Sequence, residues 1–415
     1  MLAPLSARLG VERLAISAAR MIADPASYRD RVLAQDIVSP MDLPPFDNSQ
    51  MDGYAVRSIE LAAATSAHPV VRPVAPPINA GDRERTLPLG WAAPIMTGAP
   101  IPAGADAVIP IEACLPATFH PVSAREVAEA LTVAFSAPAP EGGFVRARGS
   151  DVHSGEVLLT AGVTLGPAQF GVIAGVGISH ATVNRRPQVL VIATGHEIRE
   201  SGSDLLPGQI FDSNSIMLTS ALTEIGCTVV AWPCHSDNAA DLLQILHSGA
   251  ASADLVVTIG GVSAGAREVV RDALEPLGVE FMHVAMQPGG PQGLGEITLD
   301  GRPEPLPVVS FPGNPVSALI SFEMFLRPVL GELATGRPTL RPRVTAPLAE
   351  AVESPGGKHQ IRRGMLETDG SVRLVGGASS HLLNSYAAST VLVHLPLGIT
   401  RVSAGEHIEI WRIND

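Results

Sequence analysis

Leu255-Val256-Val257-Thr258-Ile259-Gly260-Gly261-Val262-Ser263-Ala264-Gly265 is the stretch that decides the fold. Its first five residues run apolar without polar alternation, which suits a short strand buried on both faces. The glycine pair follows at once, and a helix is expected near Glu268 to Leu274. The same grammar recurs on either side. Val189-Leu190-Val191-Ile192 reads as a buried strand, followed by a polar loop and a helix from about Ser215 to Ile225. Strands are expected at Thr228 to Ala231, Met282 to Ala285 and Val308 to Phe311, with helices at Ala239 to His247 and Val316 to Leu326. Strands alternating with helices of about ten residues predict a parallel α/β sheet over residues 185–330. Ligands of such sheets sit beyond the carboxyl ends of the strands.

The flanks differ. Residues 5–23 carry Leu9, Val11, Leu14, Ile16, Met21 and Ile22 at helical spacing, so a helix is expected there. Residues 41–140 are rich in Pro and Gly with short β-type runs, Val70-Val71, Ala107-Val108-Ile109 and Leu131-Thr132-Val133, and read as a small, loop-heavy β domain. Residues 141–184 are mixed, with a strand at Gly155 to Leu159 and a helix from Pro167 to Gly175. In 331–415 strand-like runs return at Arg343-Val344, Val372 to Val375, Val391 to Val393 and His407 to Trp411, as in a small barrel-like β domain. The expected division is 1–40 with 141–184 as a discontinuous mixed linker domain, then 41–140, 185–330 and 331–415. The fold class is α/β plus β, multidomain.

Composition bounds the function. The 415 residues are 46% hydrophobic and 17% charged, a balance that builds cores. The formal net charge is −13, and no Lys/Arg block interrupts it, which argues against nucleic acid. An acidic protein that binds an anion needs local donors, helix N-termini or a metal ion. Cys114, Cys227 and Cys234 are too few for a disulfide framework and fit no common zinc spacing, so buried thiols in a reducing cytosol are expected. Met1-Leu2-Ala3-Pro4 has neither region of a signal peptide. The longest apolar run, near Phe170 to Ile178, is glycine-broken and too short to span a bilayer. A cytoplasmic protein away from membranes is the expectation.

Three loops at strand ends carry the chemistry. Thr194-Gly195-His196-Glu197 supplies a hydroxyl, a glycine and a carboxylate. Gly260-Gly261-Val262-Ser263 lets backbone N–H groups approach an anion. Pro312-Gly313-Asn314-Pro315 opens a helix after a third strand. Each admits a purely structural reading: a tight turn, a cap by Asn314 or Ser213, a proline in a first helical turn. Together they suggest a large polar ligand bearing phosphate. Asp212, Asp237 and Glu268 read singly as favourable charges at helix entries, with oxygen ligation of Mg²⁺ as the alternative. Asp52 lies in a turn between Met51 and Tyr54 with no such helical role. Arg146 and Arg148 offer guanidiniums to an oxyanion, or are loop charges.

These strings resemble the molybdopterin molybdenumtransferases, the family of the MoeA proteins and the gephyrin E domain. The matching segments are FDNSQMDGYAV at 46–56, IMTGAPIPAGADAV at 95–108, RGSD at 148–151, TGHEI at 194–198, GQIFDSN at 208–214, GGVSAG at 260–265 and FPGNPVSA at 311–318. The resemblance implies a molybdopterin-binding α/β domain and an elongated homodimer whose site is shared between subunits. It implies adenylyl-molybdopterin and molybdate as substrates, Mg²⁺ as cofactor and release of AMP. By motif, Asp52, Thr97, Glu197, Asp237 and Glu268 take catalytic roles, with Glu197, Asp237 and Glu268 on the metal. Glu268 stands where the family commonly has aspartate. Substrate contacts are implied for Arg148, Asp151, Thr194, Gly195, Asp212, Ser213, Asn214, Gly260, Gly261, Ser263, Gly265, Gln287, Pro288, Pro312, Gly313, Asn314, Pro315 and Ser317. Molybdopterin adenylyltransferase and the apoproteins of molybdoenzymes, or their chaperones, are the implied partners.

One departure is informative. The family usually shows two lysines in a K-P-G-K-P loop, and here the loop is Gln287-Pro288-Gly289-Gly290-Pro291-Gln292. Loss of two cations beside an anionic ligand predicts weaker binding of molybdate or pyrophosphate, unless Arg146 or Arg148 substitutes. Two rival functions stand beside the transferase. A pterin adenylyltransferase would need only residues 187–330, and a non-enzymatic scaffold would bind without turnover.

Overall fold

The computed structural model describes residues 5–119, 131–236, 238–263 and 268–413. Two compact units divide the chain. One comprises Met1–Gln35, Gly162–Gly166 and Thr182–Asp415, the other Asp36–Ala161 and Pro167–Ala181. Asp237 and Gly265, expected at the site, lie outside the described residues.

The larger unit is built on a six-stranded sheet. Its elements are β1 (Gln188–Ala193), α1 (Asn214–Glu224), β2 (Thr228–Ala231), α2 (Ala239–Gly249), β3 (Leu255–Ile259), α3 (Val269–Leu274), β4 (Glu280–His283), β5 (Pro291–Ile297), β6 (Leu306–Phe311) and α4 (Pro315–Ser321). The strand order is β2-β1-β3-β6-β5-β4. The first four strands are parallel. Alternate residues of each strand face opposite sides, and each side is closed by helices. Val189, Val191, Val257 and Phe311 pack on one side with Leu218, Leu222, Phe322 and Leu330. Leu190, Ile192, Val256 and Val308 pack on the other with Leu242, Leu246, Val270 and Leu274.

The sheet is mixed rather than wholly parallel. β5 runs antiparallel to β6, and β4 antiparallel to β5. The connection 298–305 is too short for a crossover, so β5 and β6 form a hairpin. β5 was not legible as a strand because it holds two glycines. Both are required by crowding: a Cβ on Gly293 would lie 2.7 Å from the Phe281 ring, and one on Gly295 2.7 Å from Val279 Cα. The expected helix over 5–23 is also absent. Its middle, Val11–Ala15, is a strand between the short helices Leu5–Arg8 and Ala18–Ala23. The Arg185 N–H donates to Gly10 O (2.9 Å), where backbone pairing overrides local periodicity.

α4 continues through a π-type turn at Phe322–Leu326 into a helix over Arg327–Thr335. The strands that follow form a sheet ordered His359–Leu366, Val391–Leu395, His407–Arg412, Arg343–Pro347, with Val372–Leu374 beside His359–Leu366 and the earlier strand Met286–Gln287 added at its edge. A charged cluster ties this β domain to the π turn. The Arg341 guanidinium donates to both oxygens of Glu323 (2.9 and 3.0 Å), and Arg327 Nε lies 2.8 Å from the same carboxylate. Glu323 is only 2% exposed. Within the β domain, His394 is buried against Trp411, ring centroids 4.2 Å apart, and its Nδ1 lies 3.1 Å from His359 Nε2.

In the smaller unit, Gly53–Val56 pairs antiparallel with Ala93–Ile95 and Ala107–Pro110. A second sheet joins Val70–Pro73, Thr132–Phe135 and Cys114–Leu115. All three cysteines are buried. Burial pushes the Cys114 and Cys227 thiols up to about 12, so both are protonated. Among the described residues no helix is long and apolar enough to cross a membrane.

Candidate functional site

Register assembles the site. Ala193 of β1 lies beside Ile259 of β3, which lies beside Phe311 of β6. The three strands therefore end in one row, and Thr194, Gly260 and Pro312 leave it together. Backbone pairing runs one step further: the Thr194 N–H donates to Ile259 O, and the Gly260 N–H to Phe311 O, both at 2.9 Å. Gly260 has φ +95°, and a Cβ there would lie 3.0 Å from both Thr194 O and Thr194 Oγ1. Only glycine lets these two loops lie so close.

Above the row opens a cavity of about 560 Å³. Thr194 and Glu197 line it from the β1 loop, Gly260, Gly261, Ser263 and Glu268 from the β3 loop, and Pro312, Gly313, Asn314 and Pro315 from the β6 loop. Asp212, Ser213 and Asn214, at the start of α1, close another side. Two of the carboxylates are already engaged by backbone donors. The Ser215 N–H donates to Asp212 Oδ1 (2.9 Å) and the Ser263 N–H to Glu268 Oε2 (3.0 Å). Asn214 Nδ2 donates to Gly313 O (2.7 Å), tying α1 to the β6 loop, while its buried Oδ1 has no partner. Among the described residues no set of three His, Cys, Asp or Glu converges as a metal cluster.

Other expected residues fall elsewhere. Gly195 adjoins the cavity through the chain, its N–H donating to Cys234 O (3.1 Å). Ser317 is buried in α4. Gln287 and Pro288 do not line the cavity. Met286–Gln287 pairs with His359–Gln360, and Gln360 Nε2 donates to Gln287 Oε1 (2.9 Å). From that loop Pro291 reaches the wall. Sequence reasoning also missed Ile198, Ile210, Phe211, Val262 and His381. Ile210 and Phe211 sit inside the GQIFDSN string, read only for its polar half. His381 has no local signal, because a distant domain delivers it.

Asp52, Thr97, Arg148 and Asp151 belong to the smaller unit. Gly53 opposes Ile95 in the ladder, so Asp52 and Thr97 meet just past the paired residues. Both the N–H and the hydroxyl of Thr97 donate to Asp52 Oδ1 at 2.7 Å. The backbone donor first, then the hydroxyl, hold the Asp52 carboxyl below the usual range. Gly53 is obligatory here, since a Cβ would lie 2.0 Å from Ile109 O. Arg148 does not stand free: its Nε donates to Asp42 Oδ2 (2.5 Å), and its N–H to Asp47 Oδ1 (2.7 Å). Arg146 donates to Asn48 Oδ1 (3.2 Å). The Asp151 N–H donates to Leu43 O (3.0 Å), and its side chain is exposed.

A row of parallel strand ends under a polar, carboxylate-lined cavity defines an α/β protein that handles a polar ligand beyond its sheet. Comparison with known proteins narrows the class. Residues 10–177 match the MoeA N-terminal region (domain I and II), 190–332 the probable molybdopterin binding domain, and 345–413 the MoeA C-terminal region (domain IV). Molybdopterin molybdenumtransferase 2 of Mycobacterium tuberculosis is 43% identical over 390 residues, 92% of each chain. Molybdopterin molybdenumtransferase of Synechococcus elongatus is 36% identical over 396 residues, 92% of this chain and 91% of its own. The crystal structure of the molybdopterin biosynthesis MoeA protein of Pyrococcus horikosii aligns with a TM-score of 0.75 at 30% identity, covering 99% of this chain and 97% of that one. The chain belongs to the MoeA family of molybdopterin molybdenumtransferases, transferase enzymes of molybdenum cofactor biosynthesis.

Proposed function

We propose that this chain inserts molybdate into adenylyl-molybdopterin, with Mg²⁺ and release of AMP. The observation that carries the reading is the convergence of three strand-end loops and three carboxylates on one cavity. Electrostatics is the central problem, because a pyrophosphate link and a dianion must meet in an acidic protein. The N-terminus of α1, at Ser213 and Asn214 on the cavity wall, supplies the positive end of a dipole, partly offset by the Asp212 carboxylate that the Ser215 N–H already holds. Magnesium binds through one or two carboxylates and leaves its other positions to phosphates and water. Glu197 and Glu268, which line the cavity from the β1 and β3 loops, are carboxylates of the kind that donor set needs, with Asp237 as the third expected ligand. When bound, the ion would neutralise charge on the phosphoanhydride. Thr194, Asp212 and Asn214 would orient the ligand; Asp52, fixed by Thr97, remains ionised and able to accept a proton or hydrogen bond.

The finer organisation goes with this reading. It comprises a homodimer and a cytoplasmic setting. It also divides the chain into 1–40 with 141–184, 41–140, 185–330 and 331–415. Pterin adenylyltransferase would act upstream and apo-molybdoenzymes or their chaperones downstream. The test is turnover of adenylyl-molybdopterin. Molybdate-dependent AMP release is the expected result. Adenylylation of molybdopterin from ATP, or binding without turnover, would replace the reading by an adenylyltransferase or a scaffold.

A further inference from the structure

The cavity has an electrostatic oddity. Its described lining holds three carboxylates, Glu197, Asp212 and Glu268, and no lysine or arginine. His381 is the one side chain among the described lining residues that can carry positive charge. It enters from the C-terminal β domain, and its approach is fixed by three bonds. Asn314 Nδ2 donates to Ser380 Oγ (2.9 Å), and the Val316 N–H donates to Ser380 O (3.1 Å). Ser379 Oγ lies 2.8 Å from His381 Nδ1. The first two pin the segment to the β6 loop and the start of α4. The third occupies one ring nitrogen and leaves Nε2 as the remaining polar atom of a ring on the cavity wall.

We propose that His381 is a phosphate-contacting side chain of this cavity, with its Nε2–H donating to a phosphoryl oxygen of a bound nucleotide monophosphate or adenylylated ligand. This rests on the reading of the cavity as the adenylate site. With the Ser379 hydroxyl as donor to Nδ1, an assignment the 2.8 Å separation admits, the neutral ring carries its hydrogen on Nε2. An anion entering past three carboxylates settles where a donor offsets repulsion. Among the described lining residues, the His381 imidazole is the one side chain that combines an N–H donor with the capacity for positive charge. The role is one of binding and position, with no bond made or broken at His381.

The test is AMP binding to the full-length protein in the presence of Mg²⁺, by calorimetric titration, for wild type, His381→Leu and His381→Arg. Removing a charge-assisted hydrogen bond on a partly exposed wall predicts a rise in Kd of about tenfold for His381→Leu. His381→Arg restores a donor and recovers most of the affinity. Ser379→Ala, which frees the tautomer and leaves the ring, gives a smaller rise. Wild-type binding that His381→Leu does not weaken overturns the proposal. Equal weakening by Leu and Arg also overturns it, because the ring would then matter only for packing. If wild type itself binds no AMP, the adenylate reading of the cavity fails and the proposal falls with it.

Discussion

At the scale of single residues, burial decides what an ionisable group does. His394 is 2% exposed and stacked on Trp411. Burial first, then the neighbouring His359 and Arg343, hold its imidazole down to about 3. The unfolded chain takes up that proton near pH 6.5. Stability is therefore complete above about pH 6.5 and falls as the pH drops toward 3. Between pH 7 and 5 the expected loss is about 2 kcal/mol. Urea unfolding of wild type and His394→Phe at both pH values checks it. The variant keeps a ring on Trp411 and should show a loss smaller by about that amount; an equal loss in both would reject the assignment. Nothing in the sequence warns of this residue. The Asp52–Thr97 contact was different, because MDGYA and MTGAP are short strings whose residues meet by strand register. His381 could not be read at all, since it reaches the cavity through Ser380 and a β domain that begins after the last strand of the sheet.

At the scale of elements, the strands with branched aliphatic runs were legible and the glycine-rich one was not. β1, β3 and β6 declare themselves by burial on both faces. β5 hides because Gly293 and Gly295 exist to admit Phe281 and Val279. The loops after β1 and β3 depend on each other through Gly260. Gly260→Ala places a Cβ against Thr194 in a left-handed backbone, so a loss of about 1–3 kcal/mol is expected, with a lower urea midpoint and weaker AMP release. A midpoint unchanged by the substitution would show that the two loops can separate freely. Gln287 poses the converse problem. Gln287→Lys gives up the hydrogen bond from Gln360, worth about 1 kcal/mol, and brings a cation to a loop whose Pro291 lines the cavity. The molybdate concentration for half-maximal AMP release should fall at low salt, with the gain fading at moderate salt. No change at low salt would mean that this position faces away from the anion.

At the scale of the larger unit, the C-terminal β domain is joined to the sheet domain by charge as well as by apolar packing. Glu323 receives both Arg327 and Arg341 while almost fully buried. Removing one partner of a buried cluster leaves uncompensated charge, so Glu323→Ala is expected to cost about 3–5 kcal/mol. Hydrogen exchange should show faster opening of Arg343–Pro347 and Leu383–Ala387 than of β3. Uniform acceleration across both regions would show that the two domains open only together. None of this seam was visible in the sequence, because Glu323 and Arg327 read as an ordinary i,i+4 helix pair and nothing local marks Arg341 as their partner. The row formed by Ala193, Ile259 and Phe311 has a broader consequence. Its height is fixed by backbone register, so loops of very different chemistry can be mounted on it without rebuilding the support. Exchange of whole loops between relatives at Thr194, Gly260 and Pro312 should therefore transplant ligand preference as a cassette, while a single-residue insertion inside β3 should not be tolerated.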